Sequence, residues 1–563
     1  MPSRQSTQAQ VSQRFSPLYG AMVLLAAVLP HIQSLGFDFV WDDKVMIGPQ
    51  LQIWGPGDLV RLWNTPFDTL LRDPLLHNAY FRPISILSLA LDRALYSSSA
   101  QGFHLTNLVA YALACLFLWL FAWELSGRAG LAALGTCVFA LHPTHPESVD
   151  FIAGRTDVIC GVFVFASLWV AARWGPRIQN DWLKLAPASA LLLLGLLTKE
   201  VAFFASPLPL AALWIRDRRV SPGGLLRAAA PLAAAVLIFG ACRIAVLGAP
   251  GIPSASPVEG AIPQVLTSVS LVARYVPLLL VPIHLSARHE VSPLTRPDAI
   301  FLAGLLILIG SAAGAVILLR RRSPWAMPLL LFALTLFPLC AARLIAGALL
   351  AERFLFIPSA SIALSIALLP VGAGYLLSLV AGVFFLLLLP SRIAIWRDDR
   401  TLYDSMLRDS PNSAYVHSIL GSYYYQMRDL PRAIEHHKRA FELMPAYNET
   451  LLNLTAAEDE AGMPDSALAH ARLLVRLRPR YAAAWYELGN IHVRADRPDS
   501  AVVAYGEAIR LDPRMPQAEN NLGVVLERMG RTEEAVAHYR RATALDSSFQ
   551  AAANNLARLT GKP

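Results

Sequence analysis

Four short polar runs interrupt a chain that is otherwise apolar over most of its first 390 residues. The first is Phe37-Asp38-Phe39-Val40-Trp41-Asp42-Asp43. Adjacent carboxylates repel each other unless they are solvated, hydrogen-bonded or near a cation. One of Asp42 and Asp43 then has a raised pKa suited to taking a proton from a hydroxyl. Alone, the run reads as readily as a solvated turn. The second is His142-Pro143-Thr144-His145-Pro146-Glu147, followed by Asp150, Arg155 and Asp157. If a helix runs on from Glu147, then Glu147, Asp150, Gly154 and Asp157 share one face. Such a face is a polar active-site wall with Arg155 beside it. His and Glu together could bind a metal, although the spacing fits no HExxH zinc pattern. The third is Thr198-Lys199-Glu200, either a salt-bridged turn or a site for an anionic headgroup. The fourth is Ala351-Glu352-Arg353-Phe354-Leu355-Phe356-Ile357-Pro358. Arg353 offers a fork suited to phosphate, and Glu352 could orient it or simply pair with it.

Ionisable groups at membrane depth are costly and imply function. Together the four runs suit a reaction on a lipid-anchored phosphosugar. Cations stabilise the charge that develops on the leaving phosphate, and a carboxylate accepts the proton of the attacking hydroxyl. Inversion in a single displacement needs one base and no second carboxylate nucleophile. By this chemistry Arg353, Lys199 and Arg155 hold the donor phosphate. His142, His145, Glu147, Asp157, Glu200 and Glu352 line the site.

The elements that must position these residues are apolar helices. The chain has 563 residues, 55% of them hydrophobic and 16% charged, against about 25% charged in a soluble protein. Candidate spans begin near residues 17, 104, 130, 158, 185, 201, 227, 264, 299, 325, 353 and 372, roughly 11–12 membrane helices by the length rule. Arg4 and Arg14 precede the first span, which reads as an uncleaved signal-anchor. Arg128, then Arg173, Arg177 and Lys184, then Arg216, Arg218 and Arg219, and finally Arg320, Arg321 and Arg322 mark cytoplasmic loops. The four polar runs then fall on the exoplasmic face. Counting simple spans from 227 to 319 would put the Arg320 cluster outside, so a segment between 248 and 285 is re-entrant or interfacial, or one span is misplaced. The exoplasmic loop 38–101 should carry an amphipathic helix near Ile84 to Tyr96 and cap the site. The net charge of +8 is accounted for by orientation loops, and nucleic acid is not expected as a partner. Cys115, Cys137, Cys160, Cys242 and Cys340 form no CxxC pair and read as buried free thiols.

The last 170 residues differ. Pro411, Pro445, Pro479 and Pro513 are each 34 residues apart, the period of the tetratricopeptide repeat. Trp485, Leu488, Gly489, Ala501, Tyr505 and Ala508 carry the internal signature, echoed by Leu522, Gly523, Ala535, Tyr539 and Ala542. The expected repeats are 414–447, 448–481, 482–515 and 516–549, with a terminal helix after them and a capping helix around Thr401 to Arg408. Tyr415, Tyr423, Asn453, Asn490, Asn520 and Asn521 are candidates for contacting a bound peptide. The fold class is therefore all-α: a polytopic membrane bundle over 1–391, then a repeat solenoid over 392–563.

This combination resembles the transmembrane and tetratricopeptide-repeat O-mannosyltransferases, a family of the GT-C glycosyltransferase class. The matching strings are Val40-Trp41-Asp42-Asp43, Phe81-Arg82-Pro83, Leu141 to Glu147, Gly154-Arg155-Thr156-Asp157, Thr198-Lys199-Glu200 and Ala351 to Pro358, followed by the repeats. The resemblance implies transfer of mannose from a polyprenyl or dolichyl phosphate carrier to Ser or Thr of proteins. It places the base at Asp42 or Asp43, leaving open which, and implies no obligatory metal or other cofactor. The chain is short, with about four repeats, and looks like a bacterial relative. That implies an inner-membrane protein with periplasmic repeats, or luminal repeats in the endoplasmic reticulum of a eukaryote. Transfer of another sugar to a lipid or glycan, a non-catalytic membrane-anchored repeat scaffold, and a transporter are the competing readings. A transport site belongs at the bilayer midplane, whereas these runs share one face.

Overall fold

A computed structural model of the chain describes residues 17–70, 80–248, 258, 260–337, 349–445 and 448–561. Arg4, Arg14 and Cys340 lie outside them. The chain forms two compact units, Met1–Ser405 and Met406–Pro563, and the described elements of both are helical.

Among the described residues of the first unit, six helices are long and apolar enough to cross a membrane, fewer than the roughly 11–12 expected: Ala100–Ser126, Ile152–Arg177, Pro222–Leu247, Ala261–Leu280, Ala299–Arg320 and Val371–Ala394. Shorter apolar helices, among them Pro17–Val28, Ala129–Ala140, Val201–Arg216 and Ala326–Leu336, run with them. The centre is aromatic, with Tyr111, Trp119, Phe139, Phe165 and Phe356 fully buried. Helices also meet through small residues, which is how apolar helices approach in lipid. A Cβ on Gly135 would lie 2.5 Å from the carbonyl oxygen of Ala363, so Ala129–Ala140 and Phe356–Leu368 touch backbone to backbone.

The arginine-bearing loops gather at one rim. Arg173 and Arg216 both pair with Glu124. Arg322 donates to the carbonyls of Asp217 and Val220, and Arg218 donates to that of Arg322. The Arg320 cluster thus stands beside Arg216–Arg219. A Cβ on Gly304, early in Ala299–Arg320, would be 2.0 Å from the carbonyl oxygen of Val269. The Tyr275 hydroxyl meets Ala351, and the Leu279 carbonyl accepts from His142. The second half of Ala261–Leu280 therefore reaches the rim bearing the polar runs, and the helix is long enough to span.

On that rim, helices Pro56–Trp63 and Pro83–Tyr96 form a cap, the second where the amphipathic pattern expects it. Met46, Leu51, Leu62, Phe67, Ile86 and Leu89 make its core, closed below by Phe103 and Ile152.

The second unit is a stack of antiparallel helix pairs: Ala414–Gln426 with Leu430–Leu443, Asn448–Glu460 with Pro464–Leu477, Ala482–Arg494 with Pro498–Leu511, and Pro516–Arg528 with Thr532–Leu545. Gln550–Thr560 follows. Gly489 admits the ring of Tyr505, to which a Cβ would come within 2.5 Å, and Gly523 does the same for Tyr539. Asn490, Asn520 and Asn521, candidates for a bound peptide, also bond within the stack. Asn521 donates to the Tyr486 hydroxyl and to Asn490, and Asn555 donates to Asn520.

Candidate active site on one rim of the bundle

Asp42 and Asp43 part company at the start of the short helix Asp42–Met46. Asp43 is fully buried. It accepts the backbone N–H of Val40 at 3.2 Å and of Ala153 at 2.8 Å. Burial pushes its carboxyl up to about 8 against those donors, with the charge of Asp42 adding to the rise. Burial thus favours the protonated form of Asp43. Asp42 is half-buried and within electrostatic reach of Arg353.

Arg353 sits in the single helical turn Glu352–Leu355. Its backbone N–H and its guanidinium both bond Glu147, 206 residues away in sequence. Burial works against the charge, but Glu147, Asp157 and Asp42 together hold the guanidinium above its ordinary value. Lys199 donates to both oxygens of Asp157 at 2.6 Å. The Phe354 ring carries Lys199 5.6 Å from its centre and Arg353 5.5 Å from it, so one aromatic residue spaces the two cations. Glu200 receives Arg82 through two bonds of 2.9 and 2.7 Å, with Arg243 at 3.8 Å. Burial opposes its charge, yet Arg82 holds the Glu200 carboxyl below the usual range. Arg82 lies over the Tyr80 ring at 4.4 Å, and the cap is joined here by the Ser85 hydroxyl donating to the Thr198 carbonyl. The side chains of Arg353 and Glu200 are each 29% exposed, so this cluster borders open space.

Asp42, Arg353, Glu147, Lys199, Asp157 and Glu200 are thus brought together. Other expected site residues are not. Arg155, expected at the donor phosphate, is fully buried, pairs with Asp92 at 2.6 Å and donates to the Phe103 carbonyl; it fastens the cap helix to the bundle. Glu147, Asp150, Gly154 and Asp157 do not form one helical face. The chain turns through Pro146–Val149 and Ile152–Gly154 before the long helix begins at Arg155. Gly154 comes so close to the Glu147 carbonyl that a Cβ would be 2.2 Å from it. Asp150 consequently faces His31 at 2.8 Å. His142 and His145 are buried packing groups and not a lining wall. His142 bonds Thr144 and the Leu279 carbonyl, and His145 bonds the Tyr111 and Ser359 hydroxyls. Burial pushes His142 down to about 4 and His145 well below the usual histidine value, so both are neutral. Glu352 turns from Arg353 to Arg392, His289 and the backbone N–H of Ser286.

Three participants escaped the sequence reading. Arg82 stood in a matching string without a role. Arg243 is the one charged residue between Ala228 and Val258, a signal worth heeding at membrane depth. Asp399 meets the Asp42 turn from far along the chain. There Trp41 has φ 49°, a backbone conformation costing about 1–3 kcal/mol for a residue other than glycine. Its N–H donates to Asp399 at 2.9 Å.

Residues 457–516 and 486–553 match the tetratricopeptide-repeat family. Over 447 residues, 76% of this chain, the sequence is 24% identical to a protein O-mannosyl-transferase of Caenorhabditis elegans, covering 63% of that protein. It is 30% identical over 209 residues to a protein O-mannosyl-transferase of Drosophila melanogaster, covering 36% of this chain and 23% of the relative. The chain therefore spans less than two thirds of the length of these relatives. Among solved structures, that of MamA protein is 25% identical over 26% of this chain and 81% of its own, with a TM-score of 0.24. In sequence, this multi-pass helical chain carries tetratricopeptide repeats and is a relative of proteins named protein O-mannosyl-transferases.

Proposed function

We propose that the chain is a GT-C type membrane glycosyltransferase that moves a sugar, mannose by its relatives' names, from a polyprenyl- or dolichyl-phosphate carrier to Ser or Thr hydroxyls of exported proteins. The observation that carries this reading is Asp42 within electrostatic reach of Arg353 on the rim where Lys199, Arg82 and Arg243 also gather. Asp42 is the base and Asp43 the buried support of its turn. The acceptor oxygen forms a bond to the anomeric carbon while the bond from that carbon to the carrier phosphate breaks. The phosphate departs with the electron pair and the hydroxyl proton passes to Asp42, inverting the anomeric centre. Arg353 and Lys199 meet the phosphate, and burial strengthens their effect on the developing charge. Cations supply the leaving-group stabilisation, so the reaction takes no obligatory metal. Glu147 and Asp157 hold the cations in place, while Glu200 positions Arg82. The repeats take a segment of the acceptor or of a partner, the usual work of such arrays. In a bacterium the site and the repeats are periplasmic.

Asp42→Asn is expected to abolish transfer and Arg353→Lys to reduce it about 100-fold, since lysine lacks the fork, while both variants insert and fold. The measurement is mass spectrometry of hexose on Ser and Thr of exported proteins in cells complemented with each variant. Full occupancy with Asp42→Asn would remove the base.

A second reading, a membrane-anchored repeat scaffold, is favoured by the closure of Arg353, Lys199 and Arg82 on Glu147, Asp157 and Glu200. It predicts hexose occupancy indifferent to every one of these substitutions.

A further inference from the structure

Residues 397–399 lie against the turn that presents Asp42, although more than 350 positions separate them in sequence. The N–H of Asp38 donates to the Arg397 carbonyl at 3.0 Å. The N–H of Trp41 donates to Asp399 Oδ1 at 2.9 Å, and the Lys44 ammonium pairs with Asp399 Oδ2. One carboxylate therefore engages the residues before and after the aspartate pair. A run of rings backs the same turn. Trp41 stacks on Phe151 at 5.9 Å, and Phe151 stacks on Trp396 at 4.9 Å. Trp396 is fully buried. Trp41 at φ 49° and ψ −118° holds a backbone shape that a tryptophan leaves when released. Such a conformation persists only where the surroundings over-determine it. Here those surroundings are Asp399 and the ring stack, while Asp43 holds the interior side of the turn through Val40 and Ala153.

We infer that Asp399 is a positioning residue for sugar transfer: by accepting the Trp41 N–H it fixes the strained turn that aims Asp42 at the acceptor hydroxyl. This rests on Asp42 being the base. Asp399 touches neither substrate nor leaving group. Its contribution is geometric, and a carboxylate displaced by about 1 Å can lose about 100-fold in rate. The hydrogen bond to the backbone matters here, and the charge does not. Asparagine at 399 retains an oxygen acceptor for Trp41 and is tolerated, as is loss of the Lys44 partner.

The test uses the full chain reconstituted in vesicles, with a mannosyl phosphoryl polyprenol donor and a Ser/Thr-rich acceptor peptide, and four variants: Asp399→Ala, Asp399→Asn, Lys44→Met and Asp42→Asn. Asp399→Ala is expected to lower kcat about 10- to 100-fold with donor KM within about twofold. Asp399→Asn and Lys44→Met should stay within about threefold of the parent by the same reasoning. Hydrogen exchange at the Trp41 amide should quicken in Asp399→Ala and not in Lys44→Met, which reports the clamp without using activity. Equal losses in Asp399→Ala and Asp399→Asn would make the charge the agent and overturn the proposal. So would full activity in Asp399→Ala, or a loss that appears only in KM. If Asp42→Asn transfers normally, the base assignment fails and the proposal falls with it; the exchange rate still tells whether the clamp exists.

Discussion

At the scale of single residues, two neighbouring aspartates have opposite surroundings. Asp43 is enclosed and bonded by backbone, and its carboxyl is pushed up to about 8 by burial. An acid whose folded pKa exceeds its unfolded value stabilises the fold below the unfolded value, near 4, and loses that contribution as pH rises through about 8. The apparent unfolding temperature of the parent in detergent should therefore fall between about pH 5 and about pH 9. Asp43→Asn, which carries no titrating group there, should show a flatter profile. A parent profile as flat as the variant's would mean Asp43 is ionised in the fold. Residue types alone picked out Asp42, Arg353, Lys199, Glu147, Asp157 and Glu200, because charge in an apolar sequence is conspicuous. Their partners were not readable. Nothing local ties Glu147 to Arg353 or Trp41 to Asp399, since such pairings arise only when distant helices assemble.

At the scale of elements, the legible features were those with a period. The 34-residue proline spacing located the repeats, and each expected span start lies within a few residues of a helix. Periodicity misled where it was extended through a break. The expected Glu147–Asp157 face assumed a continuous helix, whereas Gly154 folds back against Glu147. The cap helix Pro83–Tyr96 is secured by Asp92, which pairs with Arg155 and accepts from Thr106. Asp92→Ala leaves a buried guanidinium unpaired and should cost about 3–5 kcal/mol. Thermal unfolding of the purified chain checks this. A drop in activity without a drop in stability would instead put Arg155 back among the substrate-binding groups.

At the scale of the whole molecule, the two rims differ in kind. One is lined by arginines from orientation loops. On the other, the candidate-site cluster sets four cations, Arg82, Lys199, Arg243 and Arg353, against four carboxylates, Asp42, Glu147, Asp157 and Glu200. Charges so evenly matched cast little field beyond the cluster, and the walls of the site act only at contact. Transfer from a vesicle-borne donor should then change by less than about twofold between about 0.05 and about 0.5 M salt, measured as initial rate. A steep decline would reveal long-range attraction. If the proposed donor is right, a phosphate-bearing lipid is not summoned from the surrounding water: it drifts sideways within its leaflet until it collides with the protein, and the abundance of carrier in the bilayer, rather than any pull from the protein, governs how often the two meet.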